Sequence, residues 1–268
     1  MHQFQHQEVL GFQFPATLLG QSKSSSTVYF VDGLLIDTGH SKKCTDVMES
    51  IEQLSIDQVF LTHHHEDHTG NIHEIHARFN PVVYSSPQCA EMMQSPPELT
   101  FVQKVYWGSR ASFQQITPIE KILETKNHQF QLIPVSGHAP DMVVLYEPER
   151  EWLFSADLFI NTRIGYFISD ESIKAEIESI QRILMLEFDV LFCGHNPQLK
   201  NGKSKLQEKL NYLEDFTVKV LRLYEKGYSN RAIFKELKLK ELRMLKLFSG
   251  GYLSKMNMVE SVIRDFGA

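Results

Sequence analysis

Short apolar runs alternate with amphipathic stretches along the first two hundred residues. The runs 28–31 and 34–36 flank Asp32-Gly33, a pattern typical of a β-hairpin. Further apolar runs predict strands over 59–62, 82–84, 129–134, 143–146, 152–155 and 189–193. Helical spacing of apolar residues predicts helices over 43–54, 71–79, 87–94 and 172–186. Strands and helices therefore intermix, which predicts an α/β (α+β) fold with helices packed on sheet layers.

The pattern changes after Pro197. Leucines and valines recur at helical spacing from Leu206 to Leu223, which predicts one long amphipathic helix. Shorter helices follow, with Gly250-Gly251 between the last two. We therefore predict a main α/β domain over 1–199, and a small C-terminal helical domain over 200–268. Residues 95–128 show no clear period, and we interpret them as a lid or an insertion.

The composition is that of a soluble globular protein. The 268 residues are 42% hydrophobic and 22% charged, with a net charge of −6. Residues 200–268 hold 15 Lys and Arg against 8 Asp and Glu, so the tail is basic and the rest is acidic. A basic tail is typical of solvated helices, and it also attracts anionic substrates.

The three cysteines are an odd number without paired spacing, which favours a reducing compartment. The first twenty residues lack a basic region followed by an unbroken apolar run, so we expect no signal peptide. We also see no apolar run of membrane-helix length. These features predict a cytoplasmic protein without a membrane partner.

Candidate chemistry is concentrated directly after the strand predicted over 59–62. His63-His64-His65-Glu66-Asp67-His68 occupies the turn that follows this strand. A turn directs several side chains into one cavity, and imidazole and carboxylate are common ligands of divalent metals. The run is internal and mixed with carboxylates, unlike an expression tag.

Three distant residues strengthen this interpretation. His138, Asp157 and His195 each follow an apolar run at a strand-to-loop junction. Ligand sites in layered α/β folds collect at such junctions. Any one of these residues has a structural explanation, but their joint occurrence after the histidine cluster predicts a metal site.

Together with Leu35-Ile36-Asp37-Thr38-Gly39 and Gly137-His138, these motifs resemble those of the metallo-β-lactamase-fold hydrolases. The resemblance covers residues 28–195 and implies a four-layer αββα sandwich holding two divalent cations, zinc before iron or manganese. By analogy, the first cation has the ligands His63, His65 and His138, and the second has Asp67, His68 and His195. Asp157 bridges both cations, and Asp37 orients the site from behind it. His64 and Glu66 fill variable positions and are not expected to bind metal.

The resemblance also implies a reaction. A hydroxide shared by the cations would cleave an ester-like bond, a thioester, lactone or phosphodiester, in a small anionic substrate, with Asp67 accepting the released proton. The beginning of the histidine motif, Thr62-His63-His64-His65, and the helical tail are similar to those of the glyoxalase II type. Secreted β-lactamases usually carry Cys or Ser where Asp157 stands, and flavin-linked di-iron reductases carry Glu at the position of His65. Whether the chain forms a homodimer stays an open question.

Two other classes of function also stay open. A mononuclear iron dioxygenase acting on persulfides uses the same ligand set, and metal identity would separate it from a hydrolase. The basic tail also allows an RNA-acting nuclease or an RNA-binding protein, with contacts from Tyr228, Arg231, Lys235, Lys238 and Lys240. Lysines on short helices are usually solvated, so we favour a small-molecule substrate over nucleic acid.

Overall fold

A computed structural model describes residues 1–18 and 21–267. Its first sheet has seven strands in chain order, β1 to β7, formed by His2–His6, Val9–Leu18, Gln21–Val31, Leu34–Ile36, Gln58–Leu61, Val82–Ser85 and Thr117–Pro118. Its second sheet has the order β13-β11-β10-β9-β8. Strands β8 to β11 are Ile122–Glu124, Gln129–Pro134, Val143–Glu147 and Trp152–Ala156, and β13 is Val190–Cys193. A small third sheet pairs β12 (Phe167–Ile168) with β14 (Leu253–Ser254).

Ten α-helices connect or cover these sheets in the described part of the chain. In chain order, α1 to α10 are Cys44–Ile51, Glu66–Thr69, Ile72–Phe79, Pro87–Gln94, Phe101–Tyr106, Ile173–Ile183, Gly202–Tyr224, Asn230–Glu236, Arg243–Phe248 and Lys255–Phe266. A short 3-10 helix, Ser41–Lys43, precedes α1. The predicted hairpin is confirmed as β3 and β4, and the predicted long helix after Pro197 is confirmed as α7.

Alternation along the strands separates the apolar layers, because successive side chains point to opposite faces of a sheet. In β4, Leu34 and Ile36 pack into the cluster between the two large sheets. Leu35 packs on the other face, with Val47 and Ile51 of α1. The helices α1, α3 and α4 therefore form one outer layer.

The second sheet repeats this arrangement. In β10, Val143 and Leu145 face the first sheet, whereas Val144 packs with Ile177 of α6 and Leu213 of α7. Helix α10 contributes to the same outer cluster. The four-layer αββα sandwich expected from the resemblance is confirmed.

The C-terminal helices share their apolar core with the second sheet. Leu206 of α7 and Met258 of α10 belong to the cluster that contains Leu153 of β11. The domain boundary between residues 199 and 200 stays a prediction. Within residues 1–18 and 21–267, no helix combines the length and the apolar character needed to cross a bilayer.

Candidate metal centre

The predicted ligands follow the ends of strands, so both large sheets deliver them to one edge. His63 lies two residues after β5, and Asp157 directly follows β11. His195 lies two residues after β13. A hydrogen bond from the Val143 amide to the Thr62 carbonyl, 2.9 Å long, joins the two sheets beside the histidine turn.

The first group of donor atoms comes from His63, His65 and His138. One ring nitrogen from each lies within 4.8 Å of the others, and His138 Nε2 is 3.0 Å from His65 Nδ1. Burial, followed by neighbouring imidazoles, holds the pKa of His63 and of His65 well below the ordinary value. Both rings are therefore neutral at pH 7, which is the form that binds a cation.

The second group consists of Asp67, His68, Asp157 and His195, whose donor atoms also lie within 4.8 Å of one another. Asp157 Oδ2 is 3.0 Å from His195 Nε2, and Asp157 Oδ1 is 3.3 Å from His68 Nε2. Asp67 Oδ2 is 3.5 Å from His195 Nε2. Two carboxylates therefore meet two imidazoles in a buried space.

Asp157 connects the two groups. Its Oδ2 lies 3.3 Å from His138 Nε2, as well as close to His195. Burial raises the pKa of this carboxyl, but the charges of His195 and His68 outweigh burial and hold the pKa well below its usual range. Asp157 is therefore ionised, and its carboxylate contacts donor atoms of both groups.

The backbone around Asp157 is irregular, and the irregularity directs its side chain into the cluster. The pairing of β11 with β13 shifts register between Phe154 and Ala156, and Ala156 has φ 45°. Such bulges redirect side chains next to functional sites. Gly194 on the neighbouring strand end is equally constrained, because an added Cβ would lie 2.5 Å from Asp157 Oδ1.

Four of the imidazole rings are fixed by hydrogen bonds on the side that faces away from the cluster. Each ring uses Nδ1 for an outward contact, which directs Nε2 to the cluster. The contacts are His63 to Thr62 Oγ1 at 3.0 Å, His68 to Asp37 Oδ2 at 2.7 Å, His138 to Glu171 Oε1 at 2.5 Å and His195 to the Ser25 carbonyl at 2.6 Å.

Asp37 has the contacts expected of an orienting carboxylate. Besides His68, it accepts hydrogen bonds from the Thr62 amide and the Thr62 hydroxyl, each 2.9 Å long. Its backbone has φ 61°, a left-handed conformation that residues other than glycine seldom adopt. Asp37 thereby links His68 to the start of the histidine turn.

A second observation also indicates that these donor atoms suit divalent cations. His63 Nε2, His68 Nε2 and Asp157 Oδ1 are buried and lack a well-aligned hydrogen-bond partner. A buried polar atom without a hydrogen-bond partner destabilises the fold, so such an atom normally has a partner, a bound water or a bound ion. Imidazole and carboxylate donors suit zinc, iron or manganese, and a cation in each group would satisfy these atoms.

His64 and Glu66 lie outside both groups of donor atoms. The His64 amide donates to Asp141 Oδ2, and His64 Nδ1 lies 2.8 Å from Asp141 Oδ1. Glu66 accepts a 3.3 Å hydrogen bond from Gln103. The sequence analysis gave no role to Asp141, which lies three residues after His138. It also missed Glu171, for which no local signal exists.

Part of the segment 95–128 covers the site. The indole of Trp107 lies 5.2 Å from the His40 ring and 5.9 Å from the His195 ring, between centroids. The Arg110 guanidinium donates to the carbonyls of His64 and Pro97 at 2.6 Å. This segment therefore forms one wall of the space above the clustered histidines.

An αββα sandwich with a His/Asp cluster at one sheet edge is the arrangement expected of the metallo-β-lactamase fold. Residues 23–195 match the family model of the Metallo-beta-lactamase superfamily. The chain belongs to this superfamily. Together, the family, the relatives and the cluster support a metal-dependent hydrolase.

Known relatives of this chain, found at low sequence identity, agree with membership in this superfamily. A hydroxyacylglutathione hydrolase of Hydrogenovibrio crunogenus is 27% identical over 165 residues, which cover 60% of this chain and 52% of that protein. The match thus spans about half of that relative's length. A beta-lactamase domain protein from Burkholderia ambifaria has a TM-score of 0.73 at 13% identity, covering 99% of this chain and 89% of its own. A metallo-beta-lactamase family protein from Thermus thermophilus has a TM-score of 0.71 at 16% identity, covering 96% of this chain and 94% of its own.

Proposed function

We propose that the protein hydrolyses an ester-like bond, namely a thioester, lactone or phosphodiester, in a small anionic substrate. It would use two divalent cations, with zinc favoured over iron or manganese. The observation that carries this proposal is the pair of donor groups joined by Asp157. His63, His65 and His138 would hold one cation, and Asp67, His68 and His195 would hold the other. The name of the hydroxyacylglutathione hydrolase relatives favours an acyl thioester as the first substrate to test.

Cations held by these residues would supply a bound water whose pKa is lowered towards about 7, and a Lewis acid for the scissile carbonyl or phosphoryl oxygen. The chain itself supplies the remaining functions. The outward hydrogen bonds of the histidines hold their rings in place, and Trp107 helps to exclude water above His195. Asp67 is the group that would accept the released proton.

The position of Asp67 supports this role. Its carboxylate approaches His195 and, at 3.8 Å, His68 Nε2, but has no outward partner comparable to those behind the imidazoles among the described residues. It also belongs to the helix α2, which begins directly after His65. A carboxylate at the rim of the cluster has one oxygen for a cation and one for a proton.

A substrate panel tests the proposed activity. Zinc-loaded protein is assayed with a thioester, a lactone, a phosphodiester and a β-lactam, before and after dialysis against a chelator. We expect turnover of one ester-like class, loss of that turnover on dialysis and recovery when zinc is returned. Full activity after complete metal removal would contradict the proposal. So would a single iron per chain with oxygen uptake on a persulfide and no hydrolysis.

A further inference from the structure

We propose that the C-terminal helix α10 is a structural part of the metal centre, because it fixes Glu171, the positioning residue behind His138. This inference rests on the proposed function, since it concerns the ligand role of His138. It assigns a role to the C-terminal helices, which lie outside the family match over residues 23–195. Three sets of contacts carry it.

The first set belongs to the Glu171 carboxylate. Oε1 accepts the 2.5 Å hydrogen bond from His138 Nδ1, and Oε2 accepts a 2.6 Å hydrogen bond from the Ile168 amide. The side chain is buried, and both oxygens are occupied. A carboxylate that holds the outer nitrogen of a metal-binding imidazole fixes the ring and raises its basicity. Glu171 therefore determines where His138 Nε2 points.

The second set connects α10 to the backbone around Glu171. The Ser261 hydroxyl donates to the Glu171 carbonyl at 3.0 Å and accepts from the Ile173 amide at 2.9 Å. Arg264 also donates to the Glu171 carbonyl. Asp265 Oδ2 accepts from the Ser172 hydroxyl at 2.7 Å and from the Lys174 amide at 3.2 Å. One face of α10 thus binds four consecutive residues, 171–174.

The third set lies on the other side of Glu171. The strand β12 pairs with β14, which directly precedes α10, and Asn257 of α10 donates to the Phe167 carbonyl at 3.0 Å. The pairing fixes Ile168, whose amide donates to Glu171 Oε2. Residues on both sides of Glu171 are therefore held by residues 253–265, and so is the carboxylate that contacts His138.

Two substitutions separate this role from general folding. Glu171→Gln preserves size but leaves one acceptor where two N–H groups need one each, so it cannot satisfy both His138 and Ile168. Ser261→Ala removes two hydrogen bonds between α10 and the segment 171–174 without touching the cluster. Glu178→Gln on the exposed face of α6 is the matched control, since Glu178 is exposed and lies outside both donor groups.

Zinc affinity is measured by competition with a chromophoric chelator. We expect the affinity of one site to fall about 10–100-fold in Glu171→Gln, the usual effect of losing the partner behind a metal-binding histidine. Ser261→Ala should lower the same affinity about 5-fold, a smaller loss because Arg264 and Asp265 still hold the segment 171–174. Glu178→Gln should match the unmodified protein. Unchanged zinc affinity in both Glu171→Gln and Ser261→Ala would overturn the proposal.

A second readout does not depend on metal. The Nδ1 proton of His138 exchanges slowly with water only while it is hydrogen bonded, and 1H–15N NMR follows it in the metal-free protein. We expect faster exchange in Ser261→Ala than in the control, although Ser261 acts on His138 only through Glu171. Equal exchange rates would overturn the proposal. If the unmodified protein binds no zinc, the proposed function fails, and the exchange rates still decide the role of α10.

Discussion

The Asp67→Asn variant is expected to lose about 10²–10⁴-fold in kcat, the contribution typical of a positioned general base. Asparagine keeps one oxygen that can approach a cation, but its amide cannot accept a proton at neutral pH. Asp67 is 6% exposed and lies 3.5 Å from His195 Nε2, so no bulk water replaces it easily. Steady-state kinetics on the substrate found in the panel measures the loss.

The adjacent carboxylate supplies the matched control for this prediction. Glu66 is also buried, but its contact is with Gln103 and it lies outside both donor groups. Glu66→Gln should keep its metal content and change kcat far less than Asp67→Asn does. The proposed role of Asp67 is contradicted if Asp67→Asn retains both cations and turns over at the unmodified rate.

The Lys209→Ala variant is expected to lower the free energy of unfolding by about 3–5 kcal/mol, because it leaves a buried carboxylate without its partner. Lys209 of α7 is fully buried. Its Nζ lies 2.5 Å from Glu176 Oε1 and donates to the Leu158 carbonyl at 2.7 Å. Leu158 directly follows Asp157, so the same side chain supports the loop that carries Asp157. Urea unfolding of the metal-free protein measures the change.

Two comparisons make this prediction specific. Lys219→Ala breaks the exposed pair with Asp215, whose side chains are 55% and 60% exposed, and should cost at most about 1 kcal/mol. Replacing both buried partners, as Lys209→Met with Glu176→Leu, should recover much of the lost stability, since apolar groups of similar size need no counter-charge. A Lys209→Ala variant no less stable than Lys219→Ala would show that the buried pair contributes nothing.

Local patterns predict those parts of the fold that depend on strand or helix periodicity. Residues 34–36 and 143–146 are unbroken apolar runs in the sequence, and every residue of β4 and β10 is buried. Such runs predict strands that are covered on both faces, as the two helix layers require. The ligand cluster follows for a related reason. Each predicted ligand lies on the connection that follows a strand, and strands of layered sheets end at common edges.

The supports behind the ligands are less visible in sequence. Asp37 was expected, because it belongs to a recognisable motif after β4. Glu171 was not, because its contact with His138 bridges 33 positions and its own position depends on α10, about ninety residues further along the chain. A single acidic residue before a helix N-cap is common, so no local pattern distinguishes Glu171 from a solvated side chain.

The segment 95–128, which the structure describes in full, shows a similar limit. Its one α-helix, α5, has six residues and a capping box formed by Thr100 and Gln103. The loop after α5 is held by single contacts, such as the hydrogen bonds from Arg110 to the carbonyls of His64 and Pro97. Such contacts have no periodic signature, and they shape the wall above the clustered histidines. The sequence therefore predicts the chemistry of the site better than its specificity.

Elemental analysis of the purified protein tests the central claim most directly. The pair of donor groups around Asp157 predicts two divalent cations per chain, and His138→Ala should reduce this number because it removes a proposed ligand beside Asp157. Metal content is compared with activity in the same preparation. A fully active preparation without metal, or one in which His138→Ala leaves the metal content unchanged, would contradict the account.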